Sequence, residues 1–251
     1  MKSMKKEILP EFRAFRVCGE VFYMKKINRI LAVVVLLSLI LTGCGSAIAE
    51  DSPRLLYQGH GSLRIITSEG KTIYIDPYAG EGYDLPADLI LVTHGHQDHN
   101  AVKLIKNRND DCQVITWKEA LVKGEYKSFD LGYATVEAVQ AGNNKNHSIK
   151  KCVGWLITLS NGITVYATGD TSTTEQMAEL AERNIDYAFF VCDGKYNMDM
   201  EEAIACAKLV NAKHSIPYHM APGKLFDRKK AEKFTAPDRL IVADGEEIDL
   251  I

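Results

Sequence analysis

Residues 93–99 read Thr-His-Gly-His-Gln-Asp-His, so His94, His96, Asp98 and His99 put four metal-ligand side chains within six positions. Imidazole is the commonest protein metal ligand and binds through a neutral ring nitrogen, and a carboxylate adds a hard oxygen donor. The group follows Leu89-Ile90-Leu91-Val92, a continuous apolar run expected of a strand buried on both faces. A loop at the end of such a strand lets alternate side chains converge on one point, and Gly95 lets the backbone turn tightly. The chemistry expected here is metal binding.

More residues of ligand type stand just after apolar runs or in loops. His147 lies in a Gly/Asn-rich loop, Asp170 follows Ala167-Thr168-Gly169, and His219 follows Ile216-Pro217-Tyr218. Taken singly, each is a polar residue of the kind any domain satisfies internally. Asp76 ends the run Ile73-Tyr74-Ile75, and His60 sits in a Gly-rich turn. His60 reads either as a donor or proton shuttle beside the site or as a surface-turn histidine.

The elements that must position these residues follow from the apolar patterning. Short strands are expected at 55–57, 63–66, 72–75 and 89–92, and a helix after Asn100 with Val102, Leu104 and Ile105 inward. Strands follow at 134–139 and 153–159, and Asn161-Gly162 turns the latter into 163–167. Ser172 to Glu175 reads as a capping box opening a helix to Arg183. A strand at 188–191 precedes a helix capped by Asp199, with Ala203, Ala207 and Val210 on one face. A strand at 215–218, a charged helix at 228–234 and a strand at 240–242 complete the expectation. Residues 53–251 read as one domain.

The series His94-x-His96-x-Asp98-His99, His147, Asp170 and His219 resembles the metallo-β-lactamase-fold superfamily over about residues 54–250. Gly59-His60-Gly61-Ser62, Asn144 to His147, Ala167 to Thr171 and Ile216 to Met220 look like its branch of ascorbate-phosphate lactonases and N-acyl-phosphatidylethanolamine phospholipase D. The resemblance implies an α+β fold, a four-layer αββα sandwich of two mixed β-sheets. It implies two divalent metal ions: Zn first, with Mn or Fe as the other candidates. His94, His96 and His147 would hold one, Asp98, His99 and His219 the other, and Asp170 both. Asp98, His99 and Asp170 would then be catalytic, with Asp76 and His60 behind them. Two dications and two Asp carboxylates, with a shared hydroxide, leave about +1, which suits an anionic substrate or a developing oxyanion. The function implied is hydrolysis of an ester, lactone or phosphodiester. The carboxylate at 170 argues against β-lactam hydrolysis, and His96, where flavo-diiron proteins carry Glu, argues against a redox site. Two other readings of these residues are a mononuclear iron oxygenase on the same fold and a metal- or partner-binding lipoprotein without turnover.

The 251-residue chain has ordinary globular composition, 46% hydrophobic and 25% charged. Eight of its 30 basic and three of its 33 acidic residues lie in 1–43, so the remainder carries 22 basic and 30 acidic residues, a net −8. An acidic body lacks the footprint of a nucleic-acid binder. The concentrated basic segment is an address. Met24 to Arg29 is a basic n-region, 30–41 an apolar run, and Leu41-Thr42-Gly43-Cys44 resembles a bacterial lipobox. Residues 24–43 are thus expected to be a lipoprotein signal, Cys44 the lipidated residue and 44–52 a tether, with residues 1–23 an over-called upstream extension. The expected location is the extracytoplasmic face of a bacterial membrane, with a small-molecule or lipid substrate. Cys112, Cys152, Cys192 and Cys206 match no zinc-knuckle spacing and read as buried free thiols.

Overall fold

Strands with alternating polarity bury one face and strands with continuous apolar runs bury two, and both kinds build this protein. The computed structural model describes residues 52–251, and the expected extension, signal, Cys44 and tether up to residue 51 lie outside the described residues. Strands β1 (Arg54–Gly59), β2 (Ser62–Ile66), β3 (Thr72–Ile75), β4 (Ala87–Val92) and β5 (Arg108–Thr116) come first. A small hairpin of β6 (Leu121–Val122) and β7 (Glu125–Tyr126) follows. Then come β8 (Ser128–Asp130), β9 (Ala134–Gln140), β10 (Val153–Leu159), β11 (Thr164–Ala167), β12 (Tyr187–Val191), β13 (His214–Tyr218) and β14 (Glu246–Asp249).

The strands form two six-stranded sheets, ordered β14-β1-β2-β3-β4-β5 and β13-β12-β11-β10-β9-β8. Both are mixed. β1, β2 and β3 are antiparallel, and β3, β4 and β5 parallel. β9, β10 and β11 repeat the antiparallel part and β11, β12 and β13 the parallel part. Tyr57, Leu63, Ile65, Leu89, Trp155 and Ile157 belong to one buried core, and each such side chain contributes about 1.5–3 kcal/mol by leaving water. The longest helix among the described residues, Met200–Val210, packs Ala203, Cys206, Ala207 and Val210 onto the core, and Asp199 caps it by accepting from the Glu202 N–H at 2.9 Å. The expected αββα sandwich is the observed architecture.

Several local expectations fail for identifiable reasons. After Asn100 there is only a 3-10 turn, Val102–Leu104, and Leu104 is exposed while Ile105 is buried. The outer face of β3 and β4 is instead sealed by a small cluster of Tyr74, Ala87, Ile90 and Ile105, joined by Tyr83 from the 77–86 loop. The capping box at 172–175 does not form, because the Ser172 N–H that Glu175 would have to accept donates to the Gly142 carbonyl at 2.7 Å; the helix starts at Gln176. The charged helix is confined to Arg228–Ala231. Residues 240–242 make no strand: the Leu240 N–H donates to the Ser215 carbonyl, and the last strand is β14. Among the described residues, no helix is long and apolar enough to cross a membrane.

Candidate metal centre

Parallel strands end at the same edge of a sheet, so whatever follows them gathers there. Asp76 follows β3, Thr93 to His99 follow β4, Asp170 lies three residues past β11, and His219 follows β13. His147 comes from the loop between β9 and β10, and His60 from the tight turn between β1 and β2. Six of the seven histidines in the chain meet at this edge. The exception, His214, stacks on Tyr187 with ring centroids 4.9 Å apart.

The donors form groups that could each hold a metal ion; beside an overlapping set of Asp76, His94 and His99, two share no residue. One is His94, His96 and His147; the other is His60, Asp98, His99 and His219; within each, donor atoms lie within 4.8 Å of one another. Asp170 stands between them. Its Oδ2 is 3.2 Å from His147 Nε2, and its Oδ1 is 3.3 Å from both His99 Nε2 and His219 Nε2. Donors on one tetrahedral ion of the zinc type stand ~3.3 Å apart. Buried His94 Nε2, His99 Nε2, His219 Nε2 and Asp170 Oδ1 have no hydrogen-bond partner. Leaving such atoms unpaired costs about 1–3 kcal/mol each, and a divalent cation is what this donor set fits.

Comparison with known proteins agrees. The model of the beta-lactamase superfamily domain matches residues 54–219. The chain belongs to the metallo-β-lactamase superfamily. It is similar to the UPF0173 metal-dependent hydrolase of Geobacillus sp. (strain WCH70), 32% identical over 193 residues that cover 66% of this chain and 84% of that one. A solved structure described as a metal-dependent hydrolase, from Parabacteroides distasonis ATCC 8503, is 28% identical with a TM-score of 0.61, covering 76% of this chain and 92% of that one. The diiron β-hydroxylase CmlA of Streptomyces venezuelae is 16% identical, with a TM-score of 0.58 over 79% of this chain and 54% of its own length; that likeness carries the fold alone. The protein is a metal-dependent hydrolase of this superfamily.

Electrostatics in the hydrolase suit His94, His219, Asp98 and Asp170 to cations. Burial pushes His94 down to about 2, with the neighbouring His99 adding to it. Burial also pushes His219 down to about 4, against the pull of Asp170. Both rings are therefore neutral at pH 7 and offer lone pairs. Burial opposes charge on His99 too, but Asp170 and Asp76 on either side raise it well above the usual histidine range. Burial would raise the Asp170 carboxyl, and the surrounding imidazoles of His219, His99 and His147 overcome it and hold it well below the usual carboxylate range. Asp98 is lowered chiefly by its hydrogen bond from His60.

Buried Asp76 ties the loop together. It accepts from the Thr93 N–H at 2.7 Å and the Thr93 hydroxyl at 2.5 Å, and its Oδ2 lies 2.7 Å from His99 Nδ1. Gly61 is required beside it, because a Cβ there would sit 2.8 Å from His99 Cε1. The backbones of His60, Asp76 and His219 all have positive φ, at 56°, 46° and 42°, a conformation costing about 1–2 kcal/mol for L residues.

Neighbouring residues play supporting parts. Asn144 folds its own loop, accepting from the His147 N–H at 2.8 Å, and Asn146 donates to the Tyr196 carbonyl at 2.9 Å. Met198 is core and Tyr196 is exposed. All four cysteines beyond Cys44 are free; Cys152, Cys192 and Cys206 are buried and Cys112 partly so. One residue escaped the sequence reading. Asp193, just past β12, is buried with its Oδ2 3.8 Å from His219 Nδ1. Its sequence context, an Asp after an apolar strand, is the same signal that marked Asp76.

Proposed function

We propose that the hydrolase is dinuclear and cleaves an ester, lactone or phosphodiester bond. One observation carries this reading: the two oxygens of Asp170 are divided between the two donor clusters. His94, His96 and His147 would hold one ion, Asp98, His99 and His219 the other, and Asp170 both. Two bound divalent ions supply an acidified water as nucleophile and a Lewis acid for the developing oxyanion. The protein's own part is placement. His94, His99, His147, His219 and Asp170 are buried and keep bulk water out, while His96 is exposed and Asp98 half-buried. Substrate therefore approaches from the side of His96 and Asp98. Zn is the first expectation, with Mn or Fe suited to the same donors.

Export and lipidation at Cys44 would leave a tether from Gly45 to Pro53 of ~30 Å at most. The centre would then work close to the outer face of a membrane. That setting, and the resemblance of the motif around His60 to phospholipase D-type relatives, support an anionic phosphodiester lipid ahead of a soluble sugar phosphate. Incorporation of labelled fatty acid, abolished in Cys44→Ala, tests the anchor.

The decisive experiment is metal analysis of protein purified without chelators, followed by a screen of phosphodiesters, lactones and esters. Two divalent ions per chain with chelator-sensitive hydrolysis is the expected result. A single iron per chain, with oxygen consumption, would replace this reading with an oxygenase.

A further inference from the structure

Each donor of a well-held metal ion usually has a partner behind it that fixes its orientation, and losing that partner weakens metal binding about 10–100-fold. In the cluster of Asp98, His99 and His219, His99 has Asp76 behind it at 2.7 Å and His219 faces Asp193 at 3.8 Å. Asp98 is the most exposed member, with its side chain 39% accessible. Its only side-chain hydrogen bond among the described residues is to His60 Nε2, at 3.1 Å from Oδ2.

His60 is itself held with unusual care. The ring is buried and lies on the His219 ring with centroids 3.7 Å apart. Its backbone, at positive φ, is pinned by three bonds: its N–H donates to the Leu225 carbonyl at 2.7 Å, and its carbonyl accepts from the His219 N–H and the Tyr57 hydroxyl, both at 2.9 Å. The Tyr57 hydroxyl also reaches the Leu225 carbonyl at 3.1 Å. Two costs are borne there, a left-handed backbone and a buried Nδ1 without a partner. Strain of this kind persists where the surrounding structure over-determines it and clusters at functional sites. Leu225 lies beyond residue 219, where the superfamily match ends.

We propose that His60 is the positioning residue of Asp98: its Nε2–H donates to Oδ2 and would leave Oδ1 free to serve as ligand to the second ion, while the segment around Leu225 holds His60 in place. This rests on the dinuclear reading. The ring orients a ligand and does not itself bind metal. The nitrogen that faces Asp98 is within hydrogen-bond reach of the carboxylate, and a donor proton there cannot coexist with a metal bond.

Metal affinity tests this independently of turnover. Apoprotein of the wild type, His60→Leu, His60→Gln and Asp98→Ala is titrated with Zn2+ by calorimetry, with thermal unfolding as the folding check. His60→Leu is expected to bind the second ion about 10–100-fold more weakly and the first as in the wild type. Gln keeps an N–H donor of similar reach, so His60→Gln is expected to recover most of that loss. Asp98→Ala is the reference that loses the second ion. If His60→Leu binds both ions like the wild type while Asp98→Ala does not, the positioning role is overturned and the dinuclear reading stands. If Gln is as damaging as Leu, His60 is a direct ligand and the proposal fails. If Asp98→Ala still binds two ions, the dinuclear reading itself falls.

Discussion

The two donor clusters on either side of Asp170 are built differently. His94, His96 and His147 contain no carboxylate of their own. His96 faces solvent, His147 Nδ1 has no partner, and only His94 has a side-chain neighbour behind it, the Thr93 hydroxyl at 3.0 Å. The Asp98, His99 and His219 cluster contains a carboxylate, has Asp76 and Asp193 behind its imidazoles, and has His60 against its exposed member. Charge and rigidity are concentrated on one side. Two ions bound here would not be equivalent: the second cluster should hold its ion tighter, and the first should be where exchange occurs. Asp170 is the one side chain whose loss both clusters should feel.

That asymmetry sets the order of effects. Asp170→Ala removes a donor from both clusters and leaves the buried nitrogens of His99 and His147 without their shared carboxylate. We expect loss of hydrolysis by a factor of ~10³ or more, as for removal of a central electrostatic group, with metal content falling in both clusters by elemental analysis. Retention of two tightly bound ions in that variant would dissolve the comparison, because the clusters would then be independent. A chelator titration of the wild type sharpens the picture further. One ion should leave first, and His96→Ala should make that same ion leave ~10–100-fold more easily while the slower ion is unchanged. Faster loss of the slower ion in His96→Ala would reverse the assignment.

Gly61→Ala probes the second cluster without touching a donor. The added methyl would meet His99 Cε1 at 2.8 Å and the His219 ring at 3.6 Å, closer than His99 can tolerate without moving off Asp76. The expected result is ~10-fold weaker binding of the slower ion, the low end for a disturbed supporting contact, with the faster ion unaffected. Equal weakening of both ions would mean that the loop 93–99 moves as one body.

Some of this could be read from the residues alone. The dense run at 93–99, and an acid or histidine after each apolar run, located the edge where the donors meet. Asp193 carried the same signal but belonged to no donor motif, and only packing brings it behind His219. The left-handed backbones of His60, Asp76 and His219 leave no trace in composition, since none is Gly or Asn. β5 was missed for another reason. Arg108 to Gln113 is polar and mostly exposed, because the strand lies at the sheet edge and shows neither alternation nor an apolar run. The capping signal at 172–175 is a real pattern, but the Ser172 N–H it needs donates to the Gly142 carbonyl, far away in sequence, at 2.7 Å.

The opposite end of the sandwich offers the smallest and cleanest test, because there the two halves are alike. Thr72 opens β3 beside Asp88 of β4, and Asp88 accepts its N–H at 2.9 Å. Thr164 opens β11 beside Asp186, which accepts its N–H at 2.8 Å. Lys71 and Lys213 add one ion pair each, at 2.9 and 2.6 Å. Burial raises both carboxyls, but the Thr72 N–H with Lys71, and Lys213 with the Thr164 N–H, leave them below the usual range. A carboxyl lowered in the folded state stabilises fully above its unfolded value of ~3.9 and loses that contribution as pH falls through the lower folded value. Asp88→Asn and Asp186→Asn should therefore each cost ~1 kcal/mol at pH 7, the net worth of an ordinary hydrogen bond. The deficit should shrink toward zero at a second, acidic pH below the lowered folded value, where the wild type is protonated as well. Urea unfolding at the two pH values measures it. Because these clamps sit at the amino ends of β3 and β11 and the donors follow the carboxyl ends, metal affinity and hydrolysis should be unchanged. A loss of either would show that the halves transmit strain from one end of the sheets to the other, and that the likeness between them extends to the site.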